Sequence, residues 1–296
     1  MIKRTIVITT PSKVSLKNNQ LVCSNMDIDV DIKSAPIEDI GIVIVENQRT
    51  ILTVPLINAL ADNNVSLIFC DAHSMPTSFL SSMSPNATQS EMLRFQVSAT
   101  AATNNRAWKQ IVEAKIKNQS LLLSKLGKDG LVLKPYYSNV KTGDSDNREG
   151  ISAKIYWKSL FGKEFVRDRY GCPPNNLLNY GYSILRSAVA RTLMGSGLNP
   201  SFGIFHKNRY NPMPLADDIM EPSRPFVDEI VFGLYENGET ELTCEAKSYL
   251  IGCLNCDTLF DTDRKPLQLG LTMTSASLGR YYKGEAKTLI LPRLEL

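Results

Sequence analysis

Short stretches in which apolar and polar residues alternate dominate the chain up to about residue 70. Thr5 to Thr9 and Leu21 to Cys23 are two of them, Ile28, Val30 and Ile32 follow at every second position, and Ile40 to Val45 is an unbroken apolar run. A period of two puts alternate side chains on one face of a sheet, and a short unbroken run suits a strand covered on both faces. Asn18 and Asn19 lie between two such segments, and asparagine tolerates the left-handed backbone of a tight hairpin. Thr53 to Ala61, with Pro55 near its start, reads as a short helix, and Val65 to Cys70 as a further buried strand. His73 to Pro85, rich in Ser, Pro and Met, reads as a linker.

Beyond the linker the period becomes that of helices. Asn86 is a candidate N-cap with Gln89 at the capping-box position. Leu93, Val97, Trp108, Ile111, Val112 and Ile116 continue the apolar stripe, with a break expected near Asn104 and Asn105 and an end at Gly127. Asn175 to Met194 is a second long helix, closed by Gly195 and Gly197. Further helices are expected from Pro214, from Pro225, over Cys244 to Ile251 and over Leu267 to Tyr282, and the apolar tail LILPRLEL as an extended segment. The pattern predicts an α+β protein: a β-rich domain over residues 1–72, a linker over 73–85, and a larger all-α domain over 86–296.

Composition adds limits. No apolar run approaches the ~20 residues that span a bilayer, and MIKRTIVITT reads as a strand rather than a signal peptide, so a cytoplasmic protein with no membrane partner is expected. The six cysteines are scattered, which argues against a disulfide scaffold. Cys253 and Cys256 form a lone CxxC, half of a zinc site or a redox pair. Residues 101–170 hold 14 Lys and Arg against 7 Asp and Glu, an excess larger than the net +3 of the whole chain. Charge polarised in this way suits a surface that meets phosphates, although a solvated helix face would show it too.

The chain has two histidines, His73 in the linker and His206 in a polar, turn-rich stretch. Eleven to fifteen residues after His206 come Asp217, Asp218 and Glu221, whose spacing on a helix from Pro214 puts them on one face. They suit either a solvated acidic turn or a cation site. Glu149 closes the run TGDSDNREG at a loop-to-helix junction, where a first-turn glutamate is also unremarkable. Tyr136, Tyr137, Tyr281 and Tyr282 could stack on bases or pack within the protein.

Three blocks join these residues: REGISAKIYW, NNLLNYGYSILRSAVARTLMGSGLNPSFGIFH and PLADDIMEPSRP, within about residues 147–226. In order and spacing they resemble the universal integrase-nuclease of CRISPR adaptation. The resemblance implies a divalent ion, Mg²⁺ or Mn²⁺, bound by Glu149, His206 and Glu221. The family often carries Asp where this chain has Glu221, which leaves open whether Asp217 or Asp218 also reaches the ion; Asp218 is assigned a supporting role. The implied reaction is attack by the 3′ hydroxyl of a captured DNA fragment on a phosphodiester of the CRISPR repeat. DNA contacts are expected from Arg148, Lys154, Lys158, Arg167, Arg169, Lys207 and Arg209. The implied partners are duplex DNA with 3′ ends, repeat DNA, a second copy pairing through the β-rich domain, and a small ferredoxin-like adaptation protein in a heterohexamer. The alternatives are a catalytically silent DNA-binding scaffold of the same complex and a thiol or zinc protein built on Cys253 and Cys256.

Overall fold

The computed structural model describes residues 3–26, 31–80, 82, 85–261 and 263–295. The chain divides into two units, Met1–Ala87 and Thr88–Leu296.

The first unit holds β1 (Arg4–Ile8), β2 (Ser12–Lys17), β3 (Gln20–Asn25), β4 (Asp31–Pro36), β5 (Ile40–Val45), β6 (Ile51–Leu52), α1 (Val54–Asp62), β7 (Ser66–Cys70) and β8 (Pro76–Leu80). One sheet has the order β1-β5-β7-β8 and the other β4-β3-β2-β6. All six residues of β5 are buried between parallel neighbours β1 and β7, which is why its sequence is an unbroken apolar run. Asn18 and Asn19, both at positive φ, turn β2 into β3 with Lys17 opposite Gln20. Leu56 and Leu60, one turn apart on α1, join Val14, Ile40, Val43 and Leu67 in the core.

One expectation needs correction here. The stretch assigned to the linker, 73–85, contains strand β8, which pairs antiparallel with β7. Its Pro and Ser content reads as loop, but Pro76 opens an edge strand, where a missing N–H costs no ladder bond, and Phe79 and Leu80 extend along β7. Ile28 and Val30 of the expected third strand lie outside the described residues.

The second unit is helical: α2 (Gln89–Val97), α3 (Ala101–Lys125), α4 (Lys134–Tyr137), α5 (Arg148–Phe161), α6 (Asn175–Gly195), α7 (Pro214–Met220), α8 (Arg224–Glu236), α9 (Cys244–Gly252) and α10 (Leu267–Tyr282). A two-stranded hairpin, β9 (Asp257–Phe260) with β10 (Asp263–Pro266), is added before α10. The helix break falls at Ser98–Thr100 rather than at Asn104 and Asn105, because the Thr100 hydroxyl accepts the Thr103 amide and starts α3 at Ala101. Asn86 does not cap α2, which begins at Gln89 itself, preceded by Thr88. Packing is close where α6 crosses α8: a Cβ on Gly181 would stand 2.4 Å from Val227 Cγ1, so glycine allows that approach. The tail is extended, as expected, with Arg293 bridging to Leu259.

Candidate active site

The first turn of α5 is built before Glu149 points anywhere. Asn147, in the left-handed region, accepts the Gly150 amide at 3.2 Å as N-cap. Upstream, the two oxygens of Asp144 accept the amides of Arg148 at 2.8 Å and Glu149 at 3.0 Å. The orphan donors of the helix start are thereby satisfied, and the Glu149 backbone is held.

Facing Glu149 is Lys115, on the buried side of α3 among Ile111, Val112 and Ile116. Its ammonium bonds Glu149 Oε1 and lies 2.5 Å from Glu221 Oε2. Burial alone would favour the neutral amine, but the Glu221 and Glu149 carboxylates outweigh it and push the Lys115 pKa up. Glu221 opens the 3-10 turn Glu221–Ser223, buried, with Arg224 Nη2 3.0 Å from its other oxygen, Oε1. Burial would raise its carboxyl, yet Arg224 and Lys115 hold it below the usual range. Asn118, one turn beyond Lys115 on α3, donates to the Pro222 carbonyl at 2.7 Å and so pins this turn to α3.

His206 sits in the loop between α6 and α7, half-buried, and is positioned by Asp218 on α7. The fully buried Asp218 carboxylate accepts the amides of Ile204 (2.6 Å), Phe205 (3.0 Å) and His206 (3.2 Å). Its Oδ1 is also 2.5 Å from His206 Nδ1. A carboxylate can only accept, so Nδ1 carries the proton and the Nε2 lone pair is left for a ligand. The same bond to Asp218 raises the imidazole pKa. Trp108 of α3 stacks on Phe205, with centroids 4.4 Å apart, and meets His206 edge-on at 5.8 Å. Gly203 permits the tight loop, since a Cβ there would stand 2.5 Å from the His206 carbonyl oxygen. A cleft of about 590 Å³ opens beside the ring, bordered by Asn104, Phe202, Lys207, Asn208 and Tyr282.

Asp217, Asp218 and Glu221 do not form one solvated face. Asp217 is gripped by Arg186 Nε at 2.7 Å and by Asn211, Asp218 turns inward to the loop amides, and Glu221 turns to Lys115. Among the described residues no three His, Cys, Asp or Glu side chains stand close enough together to hold one ion. A cation already lies between Glu149 and Glu221, the ammonium of Lys115. The donor chemistry nevertheless fits a hard divalent ion: an imidazole with a free Nε2 and two carboxylates. Glu221 Oε2 in particular is buried, with the Lys115 ammonium 2.5 Å away.

Of the basic residues, Lys154, Lys158, Arg169, Lys207 and Arg209 are exposed. Arg148 is bound to Asp146 at 2.8 Å, and Arg167 to Asn175 and Asn179 at 3.0 and 2.7 Å, bracing the loop before α6. Burial pushes the Cys253 and Cys256 thiols up, the opposite of what a reactive thiolate needs. Behind the site, Asp228 of α8 accepts from Tyr156 of α5 at 2.7 Å and from Tyr182 of α6, a buried tie between the helices that flank it.

Lys115, Arg224, Asp144 and Trp108 are absent from the sequence-based site. Lys115 alone left a signal there: four residues after Ile111 and seven after Trp108, it is a charge on the apolar stripe of α3.

Residues 6–250 match the family described as CRISPR associated protein Cas1. The CRISPR-associated endonuclease Cas1 of Neisseria meningitidis serogroup C is 36% identical over 256 residues, 85% of this chain and 83% of that protein. A casposase bound to an integration product has a similar fold, with TM-score 0.79, 18% identity and coverage of 98% of this chain and 92% of that one. A chain of a Cas6-RT-Cas1–Cas2 complex superposes with TM-score 0.75 and 20% identity, covering 99% of this chain and 36% of that one. With the family model matched over most of its length and a relative of this identity, the chain belongs to the Cas1 family of CRISPR-associated proteins.

Proposed function

We propose that this chain is a divalent-ion-dependent DNA endonuclease and integrase that inserts captured DNA into a CRISPR repeat array, with Glu149, His206 and Glu221 as ion ligands. The observation that carries this reading is the Asp218–His206 bond, which presents Nε2 of the ring and not Nδ1. A buried carboxylate spent on orienting one imidazole is the arrangement typical of a metal-ligating histidine. Glu149 and Glu221 contribute carboxylate oxygens from α5 and the turn after α7, the second kept in place by Arg224. When bound, Mg²⁺ or Mn²⁺ would polarise the phosphoryl group and organise the attacking 3′ oxygen. Asp217, with both oxygens taken by Arg186 and Asn211, is no ligand in this reading.

Exposed Lys154 and Lys158 on α5, with Arg169, Lys207 and Arg209, are the proposed phosphate contacts. Arg148 and Arg167 are assigned instead to holding the loops they brace. The structural neighbours, a casposase bound to integration product and a Cas6-RT-Cas1–Cas2 complex, support DNA and a partner protein, and we take that partner to be a small ferredoxin-like adaptation protein. We extend this to a homodimer pairing through residues 1–72, two dimers flanking the small protein as a heterohexamer.

The test incubates the protein and its small partner with a short duplex bearing 3′ hydroxyls and a supercoiled repeat-bearing plasmid. Joined product is expected with Mn²⁺ and none with chelator. A catalytically silent scaffold, in which Lys115 permanently neutralises the two glutamates, would bind the duplex and join nothing under either condition.

A further inference from the structure

We propose that the Lys115 ammonium holds the ion's place between Glu149 and Glu221 when no ion is bound and withdraws when one arrives, so that Lys115 sets the ion affinity of the site. The inference rests on the ion-binding reading above. Two carboxylates brought together inside a protein repel, and a cation between them is what allows both to stay ionised. Lys115 supplies that cation from the buried side of α3, with its side chain only 9% exposed. The ammonium touches one oxygen of each glutamate, Glu149 Oε1 and Glu221 Oε2. An ion held by the same oxygens cannot share them with a like charge.

The rest of the site is arranged for an exchange rather than a rebuild. Arg224 keeps Glu221 Oε1 and Asn118 keeps the Pro222 carbonyl, so Glu221 stays put as its other oxygen changes partner. For Glu221 Oε2 the Lys115 ammonium, at 2.5 Å, is the one polar contact that an arriving ion would replace. Glu149 is fixed through its backbone by Asp144. Lysine carries its charge on a flexible four-carbon stem, which can withdraw without displacing α3.

The experiment is calorimetric titration of Mn²⁺ into the wild-type protein, Lys115→Met and His206→Ala, with a parallel reaction of the wild type with an amine-reactive ester read at Lys115 by mass spectrometry. Lys115→Met is expected to bind Mn²⁺ at least tenfold more tightly, and Mn²⁺ to increase labelling of Lys115 in the wild type. Equal or weaker binding by a folded Lys115→Met, with His206→Ala losing the ion, would overturn the exchange and leave the ion site standing. Absence of Mn²⁺ binding by the wild type would overturn both. If Lys115→Met does not fold, the labelling decides: Lys115 reactivity unchanged by Mn²⁺ sinks the proposal.

Discussion

Glu149→Ala and His206→Ala are each expected to lower strand joining by about a thousandfold or more, equivalent to ~4 kcal/mol of transition-state stabilisation, while duplex binding stays near wild type. Neither change should unfold the protein. Loss of the Glu149 carboxylate leaves Lys115 paired with Glu221, so no buried charge is orphaned. Loss of the imidazole leaves Asp218 with its three loop amides. The proposed ion loses one of only three protein ligands in either case, and with it the geometry that orients the phosphoryl group. Joining by either folded variant at the wild-type rate would remove that residue from the site.

Asp218→Asn is also expected to be damaging, with a loss of about 10- to 100-fold, although Asp218 is no ligand in this scheme. Asparagine has one acceptor oxygen where aspartate has two. If that oxygen takes the amides of Ile204 and Phe205, the NH₂ group faces His206 Nδ1. The ring must then accept at Nδ1 and carry its proton on Nε2, the nitrogen proposed for the ion. Asp217→Asn changes a contact with Arg186 and Asn211 and should cost far less. Parallel rate measurements on the two variants check this, and the reverse order of severity would exchange their roles.

How much of this was legible in the sequence depended on whether the determining interactions are local. Leu267–Tyr282 and the buried strand Ile40–Val45 coincide with their apolar patterns, because the strand is buried at every position and the helix buries one face along its length. Strand β8 depends on an edge offered by β7, and DTLF and DRKP are too short and polar for alternation to reveal β9 and β10. In the site, the types of Glu149, His206 and Glu221 were visible, joined only by resemblance to a family. Their supports were not: Asp144 lies in a run of polar residues that all look alike, and Lys115 reaches the glutamates across 34 and 106 residues of chain.

The central claim, that an ion at this site touches the phosphoryl group being transferred, is tested most directly by sulfur substitution. A non-bridging oxygen of the repeat phosphate at the joining position is replaced by sulfur, each diastereomer is isolated, and joining rates are measured in Mg²⁺ and in Mn²⁺. Magnesium, the smaller and harder ion, tolerates sulfur less well than manganese. One diastereomer is expected to join poorly in Mg²⁺ and to recover in Mn²⁺, while the all-oxygen substrate shows no such difference. Equal slowing of both diastereomers in both ions would contradict direct contact between the ion and the transferred phosphoryl group.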